Sequence, residues 1–324
     1  MLLNKLRDSK FIGFAAASLL SFAPTWASAQ GWTDKQVQIT VGFAAGGGVD
    51  ILARMLAGEM QKKGMKVIVE NRPGAGSSMA AAMVAGRPGD GTSLMMVNDS
   101  YSLAPAIYSR LSYDPRKDLA PVIGVAYAPM VLVVPGNSRF KTLGELIAGS
   151  KGTLSWGSCG SGTAPHLAGE LLNTSFKVNN THIPYKGCGP VFVDLLGTQL
   201  DYGVVTLGGA VQYLNNGRLR ALAITSAERS PVVPQVPSVA ESGAPGFNMN
   251  QYQGLAMPAS TPEPLKQQIY QYVAAIVQSK EFQKRLLDLG YTPAAESPAE
   301  FTKVIHGDLD RYQALAKQLN LKVE

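Results

Sequence analysis

The sequence predicts an α/β protein of two lobes that face each other across a central cleft and are joined by two crossing segments. Three observations carry this. Apolar strand-like runs alternate with amphipathic helical runs over most of the 324 residues, the pattern of a mainly parallel sheet wrapped in helices. One local device occurs twice, at residues 37–60 and 153–172: a short apolar strand, a run of glycines and small residues, then an amphipathic helix. The alternation breaks at residues 122–134 and 252–257, two apolar runs that read as strands leaving one lobe for the other.

The elements follow in order. Residues 1–29 read as an export leader. Lys5, Arg7 and Lys10 form a basic start, residues 11–22 are apolar, and Ala27-Ser28-Ala29 fits the small-x-small cleavage rule, leaving Gln30 first. The alternative is an N-terminal membrane anchor, for which the apolar run is short. Residues 37–43 read as a strand, 49–63 as a helix and 66–71 (KVIVEN) as a strand. The turn Arg72-Pro73-Gly74-Ala75-Gly76 leads into a small-residue helix, 77–85. A strand at 93–97 and a short helix at 103–108 complete the first run.

The crossing run 122–134, interrupted by Pro129, reads as a strand that leaves the first lobe. The alternation then restarts: helix 143–150, strand 153–156, helix 165–172, strand 182–184, helix 190–196, strand 201–205, helix 210–215, strand 221–225. The proline-rich stretch 230–237 reads as a surface loop. After the second crossing, helices are expected at 263–279, 280–289 and 298–319, packing back on the first lobe. The expected domains are therefore 30–130 plus 253–324, and 131–252.

Both glycine-rich turns fall at carboxyl ends of predicted strands, where open α/β sheets bind ligands. Glycine lets the backbone approach a solute closely, and a helix N-terminus offers unpaired N–H groups and a positive dipole end. Such a turn is an anion trap without a charged side chain. The candidate contacts are Phe43, Ala44, Gly46, Gly47 and Gly48 in the first turn, and Ser158, Gly160, Ser161, Gly162 and Thr163 in the second. Asn98, Asp99, Ser100 and Tyr185 follow other strands. Asp99 is either a specificity acid or, more commonly, a solvated loop residue. Thr163 is also placed to cap a helix opened by Ala164-Pro165. No Gly-Lys-Ser/Thr follows the first glycines, so a nucleotide phosphate loop is not expected.

Other chemistry is thinly represented. There is no Gly-x-Ser-x-Gly elbow, and the chain holds 3 histidines. His166 and Glu170 stand four apart on a predicted helix, but further metal ligands are lacking, and a structural hydrogen bond is the better reading. No metal and no cofactor are expected. The 2 cysteines, Cys159 and Cys188, sit after strands in similar settings; in an exported protein they either form a disulfide or remain free thiols. A Cys159–His166 enzyme would need a free thiolate, which an oxidising compartment opposes. The net charge is +6, reduced to +4 without the leader, with scattered basic residues that do not suit nucleic acid.

Residues 41–50 (VGFAAGGGVD) resemble the opening of the Bug family, the exported solute receptors of tripartite tricarboxylate transporters. Further matches follow in order: 70–76 (ENRPGAG), 157–163 (GSCGSGT) continuing to 166–170 (HLAGE), 182–187 (HIPYKG), 217–223 (GRLRALA) and 237–241 (PSVAE). Together they span nearly the whole chain after the leader. The resemblance implies a two-lobed periplasmic-binding-protein fold, type II-like. It also implies a small carboxylate solute held mainly by main-chain N–H groups and waters, and delivery to membrane permease subunits. A monomer in the periplasm is expected, with a membrane sensor kinase as the alternative partner. Ala45 departs from a frequent proline, and Cys159 and Cys188 from alanine and serine, a paired departure that supports the disulfide. Thr206 stands where some members place an acid suited to an amino group, which disfavours an amino-acid ligand.

Overall fold

A computed structural model describes residues 31–150 and 154–318. The expected leader and its cleavage after Ala29 lie outside the described residues. The chain runs β1 Gln36–Val41, α1 Gly48–Lys62, β2 Lys66–Asn71, α2 Ser78–Ala85, β3 Ser93–Asn98, α3 Asp99–Ile107 and β4 Leu119–Pro135. It continues α4 Leu143–Gly149, β5 Ser155–Ser158, α5 Ala164–Phe176, β6 Thr181–Pro184, α6 Cys188–Leu196, β7 Tyr202–Thr206, α7 Leu207–Asn215 and β8 Leu219–Ile224. It closes β9 Asn250–Pro258, α8 Glu263–Val277, α9 Lys280–Asp288, β10 Thr292–Glu296 and α10 Pro298–Gln318.

The periodicities explain the packing. In α1 the buried Val49, Leu52, Ala53, Leu56, Ala57 and Met60 recur every three or four residues, one stripe toward the sheet. In α10, Phe301, Ile305, Leu309, Tyr312 and Ala316 do the same. Each fully buried Leu or Phe contributes about 1.5–3 kcal/mol by leaving water. In the first lobe, α1, α8 and α9 share one core with β1, while α2, α3 and α10 share another with β3. A third core is built with α4 and α5 and also takes in Leu103 and Ile107 of α3 and Tyr312 and Ala316 of α10; a fourth is built with α6 and α7. No helix among the described residues is long and apolar enough to cross a membrane.

The strand order is β2-β1-β3-β9-β4-β7-β5-β6, with β8 and β10 also paired to β4. The sheet is mixed, a correction to the mainly parallel reading. β1 pairs β2 and β3 in parallel, and β5 pairs β6 and β7 in parallel, but every pairing of β4 and β9 is antiparallel. The crossing strands run in opposite senses between the lobes, so they lie antiparallel to each other. β4 changes partners partway: Pro129 pairs Asn250 of β9, and Met130 pairs Thr206 of β7. One strand thus belongs to both sheet halves.

Other differences are local. α3 starts at Asp99, with Asn98 in the N-cap position, so Asp99 and Ser100 are helical rather than loop. β10 was not expected, since Thr292-Pro293-Ala294-Ala295-Glu296 lacks alternation and forms only against β4. The proline-rich loop lies outside any strand or helix, yet Val233 and Val236 are buried in the second lobe.

Candidate functional site

The loop between β1 and α1 is fastened from behind. Asp50 accepts hydrogen bonds from the Gly46 N–H (3.0 Å), Asn71 Nδ2 (2.9 Å) and Arg54 Nε (3.0 Å). Asn71 also holds the Phe43 carbonyl (3.0 Å). Burial pushes the Asp50 carboxyl up, but the bonds from Arg54, Gly46 and Asn71 outweigh it, so the group sits below its ordinary range. Its charge is therefore already spent on the loop and on Arg54. This gives a physical role to Asn71 in the second sequence motif.

The second glycine-rich turn is held by a histidine pair. His182 Nε2 meets Ser158 Oγ at 2.7 Å, and the Gly162 N–H donates to His166 Nδ1 at 3.2 Å. The two rings stack at 4.2 Å, and both lie against Trp156. Burial pushes His166 down to about 4; burial and the neighbouring His166 push His182 down to about 3. Both are neutral at physiological pH. Ligand atoms of His166, Glu170 and His182 come within 4.8 Å of one another. The Gly162 bond, however, makes His166 Nδ1 the acceptor, so Nε2 carries the proton and faces Glu170 (3.8 Å) rather than a metal. Thr163 caps α5, as its sequence position suggests.

Cys159 and Cys188 are bonded, with 4.3 Å between their α-carbons. The bond ties the second turn to the start of α6. It also forms part of the wall of an inner cavity lined by Phe43, Gly47, Gly48, Val49, Asp50, Asn98, Ser100, Cys159, Thr163, Pro165, Cys188, Thr206 and Gln251. The cavity is narrow, with a volume of about 10 Å³. The lobes touch around it. The Ala44 N–H donates to the Lys186 carbonyl (2.7 Å); within the first lobe, Tyr291 OH donates to the Gly48 carbonyl (2.9 Å).

Five helices begin at this cavity. Gly47 and Gly48 open α1, Asn98 precedes α3, Thr163 caps α5, Cys188 opens α6 and Thr206 precedes α7. Of the five, only Thr163 makes a side-chain cap bond. Each N-terminus carries about half a positive charge through unpaired N–H groups. Asn98 Oδ1 and Ser100 Oγ line the same space, fully buried and without partners. The Asn98 amide offers an acceptor oxygen and an NH2 donor to this space.

Of the residues singled out from sequence, the cavity gathers Phe43, Gly47, Gly48, Asn98, Ser100, Thr163 and Thr206. The others stand apart from it. Ala44 and Gly46 face Lys186 and Gly189 across the lobe contact. Ser158 and Gly162 are bound to the histidine pair. Gly160, Ser161 and Tyr185 line a separate outer compartment, and the Tyr185 hydroxyl turns to Asp194 (2.5 Å). Asp99 is not a solvated loop residue: it is 0 % exposed, lying behind Gln251. Sequence reading missed Val49, Asp50, Pro165 and Gln251. Gln251 lies on a crossing strand with no local signal, and Thr206 Oγ1 reaches it at 3.3 Å.

A family model described as tripartite tricarboxylate transporter family receptor matches residues 52–321. Protein BugT of Bordetella pertussis is 31% identical over 330 residues, covering 99% of this chain and 100% of that protein. The structure of the periplasmic binding protein BugD superposes with TM-score 0.86 at 30% identity, covering 89% of this chain and 99% of the other. Rpa4515 of R. palustris, solved with adipate, superposes with TM-score 0.86 at 29% identity, covering 90% and 99%.

Proposed function

From the premise that this chain belongs to the tripartite tricarboxylate transporter family of receptors, we propose that it captures a small carboxylate in its interlobe cleft and presents it to membrane permease subunits. The family is one of periplasmic solute-binding proteins. The observation that carries the carboxylate reading is the convergence of five helix N-termini on one cavity. Anions bind such termini through N–H groups and the aligned dipoles. The single acid among the lining residues, Asp50, is neutralised by Arg54 and two further donors. Ser100 Oγ and the Asn98 amide supply unused polar capacity beside the N-termini. The adipate in the R. palustris relative fits the same class of solute.

On this reading the anion contacts are Gly47, Gly48, Asn98, Ser100, Thr163 and Thr206, with no arginine in direct contact. The lobes are residues 30–130 plus 253–324, and residues 131–252, and the monomer closes by bending at the two crossings. The chain acts as a binder, not an enzyme. The one thiol pair that could supply a nucleophile is bonded, and both histidines near it hold a loop.

A thermal-shift screen of mono-, di- and tricarboxylates, aromatic acids and amino acids tests this. A ligand at about 100 times its dissociation constant adds about 2.7 kcal/mol of stability. Stabilisation by carboxylates is the expected outcome. Stabilisation only by cations or neutral sugars would end the proposal.

A further inference from the structure

We infer that the disulfide is a site of reductive modification that controls loading: a dithiol attacks Cys159, and the break frees Cys188 as a thiolate that takes the donors assigned above to the solute's carboxylate. The second half rests on the carboxylate reading of the inner cavity. The two sulfurs are reached unequally. The outer compartment has a volume of about 210 Å³, against about 10 Å³ for the inner one. Cys159 lines both, and Cys188 lines the inner one alone. Lys186 brings an ammonium to the outer wall, which suits an incoming thiolate. Attack is therefore directed to Cys159, and Cys188 is the leaving group.

Cys188 is also the better leaving group. It is the first residue of the nine-residue helix α6, whereas Cys159 stands in the turn short of Ala164, where α5 begins. A thiol at a helix N-terminus titrates below the ordinary thiol value, and a disulfide breaks faster when the departing sulfur has the lower pKa. Gly47, at the start of α1, packs on the same spot: a β-carbon there would lie 3.4 Å from the Cys188 β-carbon. Thr206 Oγ1 lies 3.8 Å from Cys188 Sγ and can turn its proton from Gln251 to a thiolate. Gly47 and Thr206 are both among the proposed anion contacts. In the reaction, a thiolate of the dithiol bonds to Cys159 Sγ, the S–S bond breaks, and its electron pair stays on Cys188 Sγ. The second thiol of the dithiol then displaces Cys159, which takes up a proton. The dithiol ends oxidised to a disulfide, the protein reduced to a Cys159 thiol and a Cys188 thiolate, and one proton goes to water. The thiolate then holds the N–H groups and hydroxyl that a carboxylate needs, so reduction unloads the receptor.

The charged and titratable groups around this sulfur are Asp50 with its partner Arg54, Lys186, the histidine pair behind the second turn, Tyr185, Tyr291, and Asp99 behind Gln251. All are shared by Cys159→Ser, which leaves Cys188 free, and Cys188→Ser, which leaves Cys159 free, so comparing the two isolates the freed thiol. Thiolate absorbance against pH should show the thiol of Cys159→Ser titrating below the ordinary value of about 8.5, and that of Cys188→Ser not below it. Titration calorimetry uses succinate, adipate and citrate. An acid that binds the disulfide form should lose roughly tenfold or more in affinity for Cys159→Ser, relative to Cys188→Ser, between about pH 6 and about pH 9. The unaltered protein reduced with dithiothreitol should follow Cys159→Ser, a readout free of any substitution. Brief exposure of the unaltered protein to glutathione (a monothiol that traps the mixed disulfide), acid quench and peptide mass should place the adduct on Cys159. An adduct on Cys188, or a Cys188 thiol that titrates at or above Cys159, would overturn the reduction route. Equal pH dependence of acid binding in the two variants would overturn the competition with solute. Binding of none of these acids to the disulfide form would end the carboxylate reading and the competition with it, while the adduct and the thiol titration would still decide the reduction.

Discussion

Gln251 donates its side-chain amide to Asp99 at 2.8 Å, tying the crossing strand β9 to the first turn of α3 in a place closed to solvent. Tyr312 of α10 donates to the other carboxylate oxygen at 3.1 Å. The same Gln251 accepts from Thr206 of the second lobe and from Gln253. A buried carboxyl thus stands where α3, α10 and the crossing strand β9 meet.

Burial pushes the Asp99 carboxyl up to about 7; the bonds from Gln251 and Tyr312 and the charge of Arg311 only partly offset burial, and Asp308 adds to the rise. The folded value is above the unfolded one. This group's contribution to stability is therefore fully present below about pH 4 and is lost as pH rises through about 7. Asp99→Asn carries no such titration. Between about pH 5 and pH 8 the unfolding midpoint of Asp99→Asn should rise relative to the unaltered protein. Parallel pH profiles of the two proteins would rule out a protonated Asp99 at this junction.

The histidine pair has the opposite sign. His166 and His182 titrate near 4 and 3 in the fold, below the ordinary histidine value. The unfolded chain takes up these protons first, so stability falls as pH drops from about 6.5 toward 4. His182→Gln, which keeps a hydrogen-bonding group near Ser158, should flatten that decline. An unchanged acid limb in urea titrations would remove the neutral-clamp reading.

Backbone recognition predicts an asymmetry between two substitutions. A side chain at Gly47 would meet the Cys188 β-carbon at 3.4 Å and point into the lobe contact. Gly47→Val should therefore abolish binding of any acid found in the screen. Arg54 is half exposed and reaches the loop only through Asp50 and Asn71. Arg54→Gln should weaken binding by roughly threefold to tenfold, the effect of loosening a partly exposed charged hydrogen bond. If calorimetry shows Arg54→Gln inactive and Gly47→Val intact, direct ion pairing replaces the backbone model.

The disulfide spans a sequence separation of 29 residues. In the chain-entropy model such a link stabilises by about 3–4 kcal/mol. Cys159→Ser with Cys188→Ser should lower the unfolding free energy by that order and weaken acid binding, because both sulfurs belong to the cavity wall. Unchanged urea midpoints for the double variant would show that the link carries no such weight.

Gly169 of α5 lies against the Trp156 indole, so that an added methyl would collide with the ring. Trp156 is fully buried, stacks on His166 and lies tilted against His182. Gly169→Ala gains helix propensity but overpacks this contact, and should cost about 1–3 kcal/mol. Thermal unfolding at neutral pH measures it. A midpoint equal to or above that of the unaltered protein would mean that the ring can move aside.

The sequence by itself determined what depends on neighbours along the chain. Strand and helix periods show in local spacing, so the alternation, the two crossings and the glycine-rich turns after β1 and β5 were all visible. Thr163 was legible as a cap because a cap bond spans three residues. The tertiary structure alone decided which helix starts share a point in space. Two N-termini were expected at the cleft and five meet there; those of α3, α6 and α7 arrive through pairing of β3, β6, β7 and the two crossing strands, a register that no single segment encodes. The same holds for Asp99. Asp-Ser after a strand looks like solvated loop, and only the arrival of Gln251 and Tyr312, 152 and 213 residues away in sequence, takes its carboxyl out of water. Burial is a property of every segment around a residue, and local pattern reports only the segment that contains it.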